Sequence, residues 1–256
     1  MYIYIIMPPK KAKSKSKPKA KTNLNEPSTE PVNFYTLKSV QKFAPKSHNP
    51  FFDVHNISLP FRTIVIGASG SGKSNFLLNL ISVTPGTWEH IYIYTKENET
   101  LYDYLQSVID ESLLTIKYGN LDEFRVFDDE IYKSRLNTLV IFDDMVNESK
   151  KEQVCINELY IRGRKMGVSM CYLTQSYFSV PKMIRSQCNY FFILKVSGLR
   201  DLRLILSEFA LSADIKQLYQ MYRYCCENGG MENFMLIDLN TDSSKTFRKN
   251  FTEYLT

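Results

Sequence analysis

Residues 64–80 read IVIGASGSGKSNFLLNL, and this stretch constrains the fold more than any other part of the chain. A short apolar run leads into a glycine- and serine-rich loop, which is followed by Lys73, Ser74 and an apolar pattern of helical spacing. Residues 67–74 match G-x-x-x-x-G-K-[ST] at every position, in the strand and helix context that gives this pattern its meaning. The stretch therefore predicts a strand, a phosphate-binding loop and a helix, in that order.

The residue types of this loop suit a nucleoside triphosphate. Glycines let backbone N–H groups turn inward around a β-phosphate, the lysine reaches the β- and γ-oxygens, and the serine hydroxyl ligates Mg²⁺. The amino end of the following helix also favours an anion. The sequence carries no N-K-x-D guanine signature, so we predict ATP and Mg²⁺ as ligands. The predicted nucleotide-binding residues are Gly67, Ala68, Ser69, Gly70, Ser71, Gly72, Lys73, Ser74 and Asn75.

Two later strand-like segments end in polar residues that would complete such a site. Residues 139–144, LVIFDD, end in two aspartates, and we predict them on a strand neighbouring the phosphate strand. Asp143 would hold the Mg²⁺ shell through water, together with Ser74, and Asp144 would polarise the attacking water. Residues 169–175 end at Gln175, which would contact the γ-phosphate or align the water. The alternative for the two aspartates is an acidic strand end that caps a helix.

The remaining chain alternates between strand-like and helical patterns. Near-continuous apolar runs indicate strands that are buried on both faces, and their alternation with helical segments predicts an α/β fold with a mostly parallel central sheet flanked by helices. The order of the phosphate strand, an intervening strand near 90–95, the acid strand and the glutamine strand suggests a P-loop NTPase of the additional-strand class. Strands are predicted at 62–67, 90–95, 139–144, 169–175, 190–196 and 234–239, and helices at 74–83, 98–110, 148–162, 199–209 and 213–226.

The ends of the chain differ from its middle in composition. Residues 1–34 are predicted to be a disordered lysine-rich tail, because residues 8–33 contain too few large apolar side chains to offset the entropy of ordering. Residues 35–256 are predicted to form the ATPase domain, with 197–256 as a helical and hairpin extension of it. In that extension, 234–239 and the FRKNF segment at 247–251 are predicted to pair as a hairpin that closes the sheet.

Charge and cysteine content give weaker indications. Residues 10–21 hold seven lysines and no acid, and without them the formal net charge falls from +5 to −2. This run is read either as an electrostatic arm for nucleic acid or nuclear import, or as a solubilising tail. The five cysteines lack zinc-ligand spacing, which favours reduced thiols in a cytosolic compartment, with Cys171 in the core. No apolar run is long enough to span a membrane, and translation starts at Met1 or Met7.

Four segments together resemble the FtsK/HerA-type genome-packaging ATPases of large DNA viruses, poxviruses and virophages. They are PFRTIVIGASGSGKSNFL at 60–77, IYIYT at 91–95, LVIFDD at 139–144 and GRKMGVSMCYLTQSYFSVPKMIR at 163–185, and they follow the family order. The last segment is the most specific. Lys165 departs from the histidine that relatives often carry after Gly-Arg, and residues 186–187 lack an expected asparagine.

The resemblance implies a motor that drives double-stranded DNA into a preformed capsid, docked on capsid vertex or portal proteins. It further implies a homo-oligomeric ring in which an arginine reaches the γ-phosphate of a neighbour, with Arg164 as the first candidate and Arg162 as the second. Arg185 and Lys182 are candidates for contacts with DNA or with another subunit. The implied location is the viral factory in the host-cell cytoplasm, the virion, or both. The alternatives are another DNA translocase or replication ATPase of this class, and a non-hydrolysing nucleotide-dependent assembly switch.

Overall fold

The structure, a computed structural model, describes residues 31–43, 48–119, 137–210, 213–227 and 229–256. The chain divides into a unit up to Ala44 and a larger unit from Pro45 to Thr256. In the first unit the described residues form a 3₁₀-helix, Phe34–Thr36, and helix α1, Lys38–Gln41. The lysine run and most of the predicted tail lie outside the described residues, so the tail and the domain boundary stay predictions. No helix within the described ranges is long and apolar enough to cross a membrane.

The larger unit contains the predicted alternation of strands and helices. The strands in its described residues are β1 (Arg62–Ile66), β2 (His90–Thr95), β3 (Leu114–Tyr118), β4 (Thr138–Asp143), β5 (Val168–Thr174), β6 (Tyr190–Ile193), β7 (Met235–Asp238), β8 (Phe247–Lys249) and β9 (Glu253–Tyr254). The described helices are α2 (Phe52–His55), α3 (Lys73–Val83), α4 (Thr100–Val108), α5 (Lys150–Arg162), α6 (Lys182–Gln187), α7 (Leu199–Ser207) and α8 (Ile215–Cys226). Short 3₁₀-helices occupy Met145–Asn147, Gly163–Met166, Tyr177–Ser179 and Ser243–Lys245.

These strands form one sheet in the order β3–β2–β4–β5–β1–β6–β7–β8–β9. Pairing is parallel from β3 to β6 and antiparallel from β6 to β9. The mostly parallel α/β fold is therefore confirmed, and so is the predicted hairpin, since β7 pairs with β8. One expectation was wrong: the acid strand β4 is not next to the phosphate strand β1, because β5 lies between them.

The sequence patterns missed strands β3 and β9 and helices α1, α2 and α6, of which β3 and α6 are the longest. Strand β3 is an edge strand with one buried residue, Leu114, and it lacks the continuous apolar run by which the other parallel strands were recognised. Helix α6 has six residues, too few to produce a helical period, and begins directly after Pro181. In both cases the element is held by its neighbours in the fold, which short sequence windows do not record.

The sheet separates two apolar cores. Ile64 and Ile66 of β1 face one core, whereas Val65 faces the other, as expected for a strand with alternating side-chain directions. Helices α5, α7 and α8 cover the Ile64 face, and α3 and α4 cover the Val65 face. The predicted core position of Cys171 is confirmed, because its side chain is fully buried. Helices on both faces explain why the central strands are apolar throughout.

Helix α5 begins with a capping box. The Ser149 Oγ accepts a hydrogen bond from the Glu152 backbone N–H, and the Glu152 carboxylate accepts one from the Ser149 N–H. This reciprocal pair satisfies two backbone donors that the helix itself leaves without acceptors. The cap fixes where α5 begins, and the helix carries Arg162 at its other end.

A buried ion pair joins the C-terminal hairpin to the segment before β1. Arg248 on β8 and Asp238 at the end of β7 are both fully buried and paired with each other. The Arg248 guanidinium also donates hydrogen bonds to the backbone oxygens of His55 and Phe251, at 3.1 Å and 3.0 Å. Because these partners come from distant parts of the sequence, the arginine stabilises the closing edge of the sheet.

Replacing Arg248 by methionine should destabilise the protein. The substitution leaves the Asp238 carboxylate buried without its cation, which typically costs about 3–5 kcal/mol of the free energy of unfolding. Urea unfolding followed by circular dichroism measures the loss. The double variant Arg248→Met/Asp238→Leu should recover most of it, and Arg223→Ala, which breaks the exposed pair with Glu227, should have little effect. A loss below about 1 kcal/mol for Arg248→Met would contradict this account.

Candidate active site

The phosphate loop runs from the end of β1 to the start of α3 and is anchored by backbone hydrogen bonds. The Gly67 N–H donates to the Thr174 oxygen at the end of β5, at 3.1 Å, and the Ala68 N–H donates to the Lys195 oxygen beyond β6, at 2.9 Å. Both anchors extend the pairing of β1 with its two neighbours. The loop is therefore positioned by the buried centre of the sheet.

Gly72 is required by the geometry of this loop. Its φ of 91° lies in the left-handed region, and it is the residue that precedes α3. A Cβ atom here would lie 2.4 Å from the Met231 backbone oxygen, so any other residue would force the two segments apart. Part of the C-terminal extension thus packs directly against the loop.

The Lys73 ammonium lies within the curve of the loop. It donates hydrogen bonds to the Gly67 and Ala68 carbonyl oxygens, both at 3.1 Å. Burial lowers the pKa of Lys73, and the nearby carboxylates of Asp143 and Asp144 partly offset that effect. The lysine is therefore a partly desolvated cation, and anionic oxygens inside the loop would interact with it more strongly than these carbonyls do.

Asp143, the last residue of β4, is a buried carboxylate held by a tyrosine. Its Oδ2 accepts a hydrogen bond from the Tyr102 hydroxyl at 2.6 Å. Burial is the main reason that the pKa of Asp143 is raised; the hydrogen bond and Lys73 oppose the rise, whereas Glu99 and Asp144 add to it. Burial and the adjacent Asp143 carboxylate also raise the pKa of Tyr102, which keeps this hydroxyl a donor.

Asp144 and Gln175 come together from neighbouring strand ends. Asp144 adopts a left-handed conformation with a φ of 52°, which is uncommon for a residue other than glycine and is typical of functional sites. Its N–H donates to the Leu173 oxygen at 3.1 Å, and its Oδ2 accepts a hydrogen bond from the Gln175 Nε2 at 3.1 Å. The predicted pair of acid and amide therefore lies side by side.

These groups line one cleft of about 690 Å³, within the usual range for a ligand pocket. Of the predicted site residues, the cleft is lined by Ser69, Gly70, Gly72, Lys73, Ser74, Asn75, Asp143, Asp144 and Gln175. Ser74 and Asp143 supply oxygen atoms, the ligand type that Mg²⁺ prefers, so the donor set suits this ion. Gly67, Ala68 and Ser71 belong to the loop and do not line the cleft.

Sequence reasoning missed one wall of this cleft. It is formed by the segment that follows β2 and by Met231, and it comprises Thr95, Lys96, Glu97, Asn98, Glu99, Thr100, Leu101 and Met231. Strand β2 pairs with β4 in parallel, with Thr95 opposite Asp143. Because the carboxyl ends of parallel strands meet at one edge, the residues after 90–95 were detectable as candidates.

The arginines proposed to act on a neighbouring subunit are far from this cleft. Arg162 ends α5 and Arg164 lies in the 3₁₀-helix Gly163–Met166, and both are exposed. They precede Val168, the first residue of β5, whereas Gln175 follows its last. The length of β5 places the two ends roughly 20 Å apart. The fold therefore separates Arg162 and Arg164 from the phosphate loop of the same chain.

Arg185 and Lys182 lie on α6 and line a second cleft, of about 770 Å³. The Arg185 guanidinium pairs with Glu208 at 2.9 Å and stacks 4.8 Å from the centre of the Tyr177 ring. Lys182 is exposed. Arg185 is thus held by its own chain, and Lys182 presents its charge to solvent.

Replacing Asp143 by asparagine should stabilise the ligand-free protein at alkaline pH. The raised pKa means that the folded protein binds more protons than the unfolded chain between the two pKa values, so its stability falls as the pH rises through that interval. The variant lacks this loss and can still accept the Tyr102 hydrogen bond. In thermal unfolding at several pH values, the melting temperature of the variant should exceed that of the wild type at about pH 8. This difference should shrink towards about pH 4. A difference in melting temperature that does not change with pH would contradict a raised pKa for Asp143.

The structure is similar in fold to solved viral ATPases. The genome packaging NTPase B204 from Sulfolobus turreted icosahedral virus 2, solved with ATP-γS, is 16% identical, has a TM-score of 0.54, and covers 78% of this chain and 100% of its own. The same protein solved with AMPPCP has a TM-score of 0.51, at 16% identity and with 77% of this chain and 98% of its own covered.

Sequence relatives point to one family. The DNA packaging protein OPG160 of Monkeypox virus is 28% identical over 152 residues, which cover 55% of this chain and 50% of that protein. Its counterpart in Vaccinia virus (strain Copenhagen) has the same identity, with 55% of each chain covered. This chain therefore spans about half the length of the curated relatives that it matches. The model of the poxvirus A32 protein family matches residues 50–245, which include the entire cleft, and the chain belongs to that family.

Proposed function

We propose that the chain is an ATP-hydrolysing motor subunit that moves double-stranded DNA into a viral capsid. The observation that carries the proposal is the convergence of Lys73, Ser74, Asp143, Asp144 and Gln175 on one cleft, at the carboxyl ends of β1, β4 and β5. Family membership supports the packaging role, since relatives bear the name DNA packaging protein. The fold it shares with an NTPase solved with ATP-γS supports the choice of nucleotide.

Binding would use the loop and the start of α3. Backbone N–H groups of the loop and the amino end of α3 face the phosphates, and Lys73 moves from the loop carbonyls to the β- and γ-oxygens. Ser74 and Asp143 would hold Mg²⁺, directly and through water respectively. Mg²⁺ supplies positive charge for the phosphate oxygens.

Hydrolysis would take place between the strand ends. Asp144 polarises a water molecule, and Gln175, hydrogen-bonded to Asp144, contacts the γ-phosphate or aligns the water. The water oxygen forms a bond to the γ-phosphorus while the bond to the bridging β–γ oxygen breaks. These residues therefore position charge and a nucleophile, which is most of what phosphoryl transfer demands of a protein.

The positions of the arginines support a ring. An exposed Arg164 at the amino edge of the sheet cannot serve the cleft at the carboxyl edge of its own chain, whereas it is free to enter the cleft of a neighbour. A head-to-tail contact repeated around an axis produces a ring when the rotation closes. Arg162 is the second candidate for this role.

DNA would be held by its phosphates, without reading of bases, as movement along any sequence requires. Lys182 is available for such contacts, whereas Arg185 would first have to leave Glu208. The lysine run at 10–21 is a further candidate. The proposed partners are double-stranded DNA and capsid vertex or portal proteins, at the viral factory in the host cytoplasm and in the virion.

Steady-state ATP hydrolysis tests this function directly. The purified protein should hydrolyse ATP faster when long double-stranded DNA is added, and Lys73→Ala should reduce the rate about 10²-fold or more, because charge stabilisation at the γ-phosphate is lost. Lys117→Ala, at an exposed position on β3, is the charge-matched control and should keep wild-type activity. Retained activity in Lys73→Ala would refute the site, and ATP binding without turnover would favour the assembly-switch alternative.

Mixed rings test the role of Arg164. Arg164→Ala alone should lose about 10³-fold or more in rate, as expected for an arginine that acts on the transition state. An equal mixture with Lys73→Ala subunits should restore activity to about a quarter of the sites, those with an intact lysine beside an intact arginine. Lys165→Ala, also exposed and adjacent in sequence, is the control that should stay active. No recovery in verified mixed rings would argue against action between subunits.

A further inference from the structure

Glu99 lies in the wall of the nucleotide cleft that sequence reasoning missed. It precedes the first residue of α4, with an extended backbone at φ −141° and ψ 158°. Its carbonyl oxygen accepts hydrogen bonds from the Tyr102 and Asp103 N–H groups, at 2.9 Å and 3.2 Å. The backbone of Glu99 is thus fixed by the first turn of the helix, and the residue lines the cleft.

Helix capping does not account for this side chain. A residue at this position commonly accepts a hydrogen bond from the second or third N–H of the helix, whereas the Glu99 carboxylate makes no such bond. Its Oε1 is buried and has no hydrogen-bond partner within the part of the chain that the structure describes. A buried carboxylate oxygen without a donor is costly, and a catalytic role is one of the explanations for such a group.

Glu99 interacts electrostatically with groups that belong to the proposed reaction site. Its charge adds to the rise in the pKa of Asp143 and of Tyr102, and it opposes the fall in the pKa of Lys73. Glu99 also lines the same cleft as Asp143, which would hold Mg²⁺, and Lys73, which would hold the phosphates.

Asp144 is not well suited to accept the proton of the attacking water. Its side chain is one methylene shorter than glutamate, and its Oδ2 is engaged by the Gln175 amide. Its left-handed backbone also fixes where the short side chain can reach. Asp144 and Gln175 together are suited to orienting a water molecule, and a longer carboxylate with a free oxygen is better suited to accepting its proton.

We propose that Glu99 is a catalytic residue that accepts the proton of the attacking water, an inference that rests on the proposed ATP hydrolysis. The water oxygen forms a bond to the γ-phosphorus, the electron pair of the breaking bond stays on the bridging oxygen of ADP, and the proton passes to the Glu99 carboxylate. That proton then leaves to solvent as phosphate departs. Asp144 and Gln175 hold the water, and Lys73 stabilises the charge on the phosphate oxygens.

The test compares Glu99→Gln, which keeps the size of the side chain and removes the base, with the wild type in the full-length chain. Single-turnover hydrolysis of ATP with Mg²⁺ should slow about 10²–10⁴-fold, the usual contribution of a general base. The dissociation constant for ATP with Mg²⁺, measured with a fluorescent analogue, should change less than about threefold. Glu99→Asp should recover part of the rate, and Asp144→Asn should slow the same step. The matched control is Glu111→Gln, at an exposed position outside the cleft.

Three results would overturn the catalytic role of Glu99 or the ATP hydrolysis on which it rests. A Glu99→Gln rate within about threefold of the wild type would overturn the proposal. Loss of nucleotide affinity in parallel with rate, or a lowered melting temperature that explains the loss, would also overturn it, since Glu99 would then serve binding or folding. A wild type that binds ATP without hydrolysing it refutes the proposed function itself, and this result is recognised before any variant is made.

Discussion

Parallel pairing of β1, β5 and β4 is the constraint on which the cleft depends. Ile66 lies opposite Thr174, and Leu173 lies opposite Asp143, so the phosphate loop, Gln175 and the acid strand all emerge at one edge. The strand spacing brings all three within about 10 Å of one another. A slip of one residue in β4 would turn the Asp143 carboxylate to the opposite face and remove it from Tyr102 and the cleft.

Burial in the cleft destabilises the ionised forms of two of its side chains. Burial lowers the pKa of Lys73 and raises that of Asp143, so both ionised forms are disfavoured relative to water. A triphosphate and Mg²⁺ would bring the opposite charges, and their binding free energy would then add to the stability of the fold.

The two edges of the sheet carry different chemistry. The carboxyl edge holds the cleft, whereas the amino edge carries Arg162 and Arg164 in exposed positions. In the proposed ring, each edge of a subunit would supply half of a composite site, which suits a head-to-tail contact and does not suit a symmetric pair. The capped and well-packed α5 gives the arginines a fixed support, which a residue acting on a neighbour requires.

The sequence alone determined the phosphate loop, the acid and glutamine strand ends and the class of fold. Each of these features is specified by continuous runs of residues with a recognisable period or spacing. Helix and strand patterns at 74–83, 148–162 and 90–95 were predicted for the same reason. Only the tertiary structure decided that β5 separates β1 from β4, that Tyr102 holds Asp143, that Glu99 lines the cleft, and that Arg248 is buried against Asp238. These relations join residues far apart in the chain, and a local pattern carries no information on which distant groups will share a low-dielectric environment.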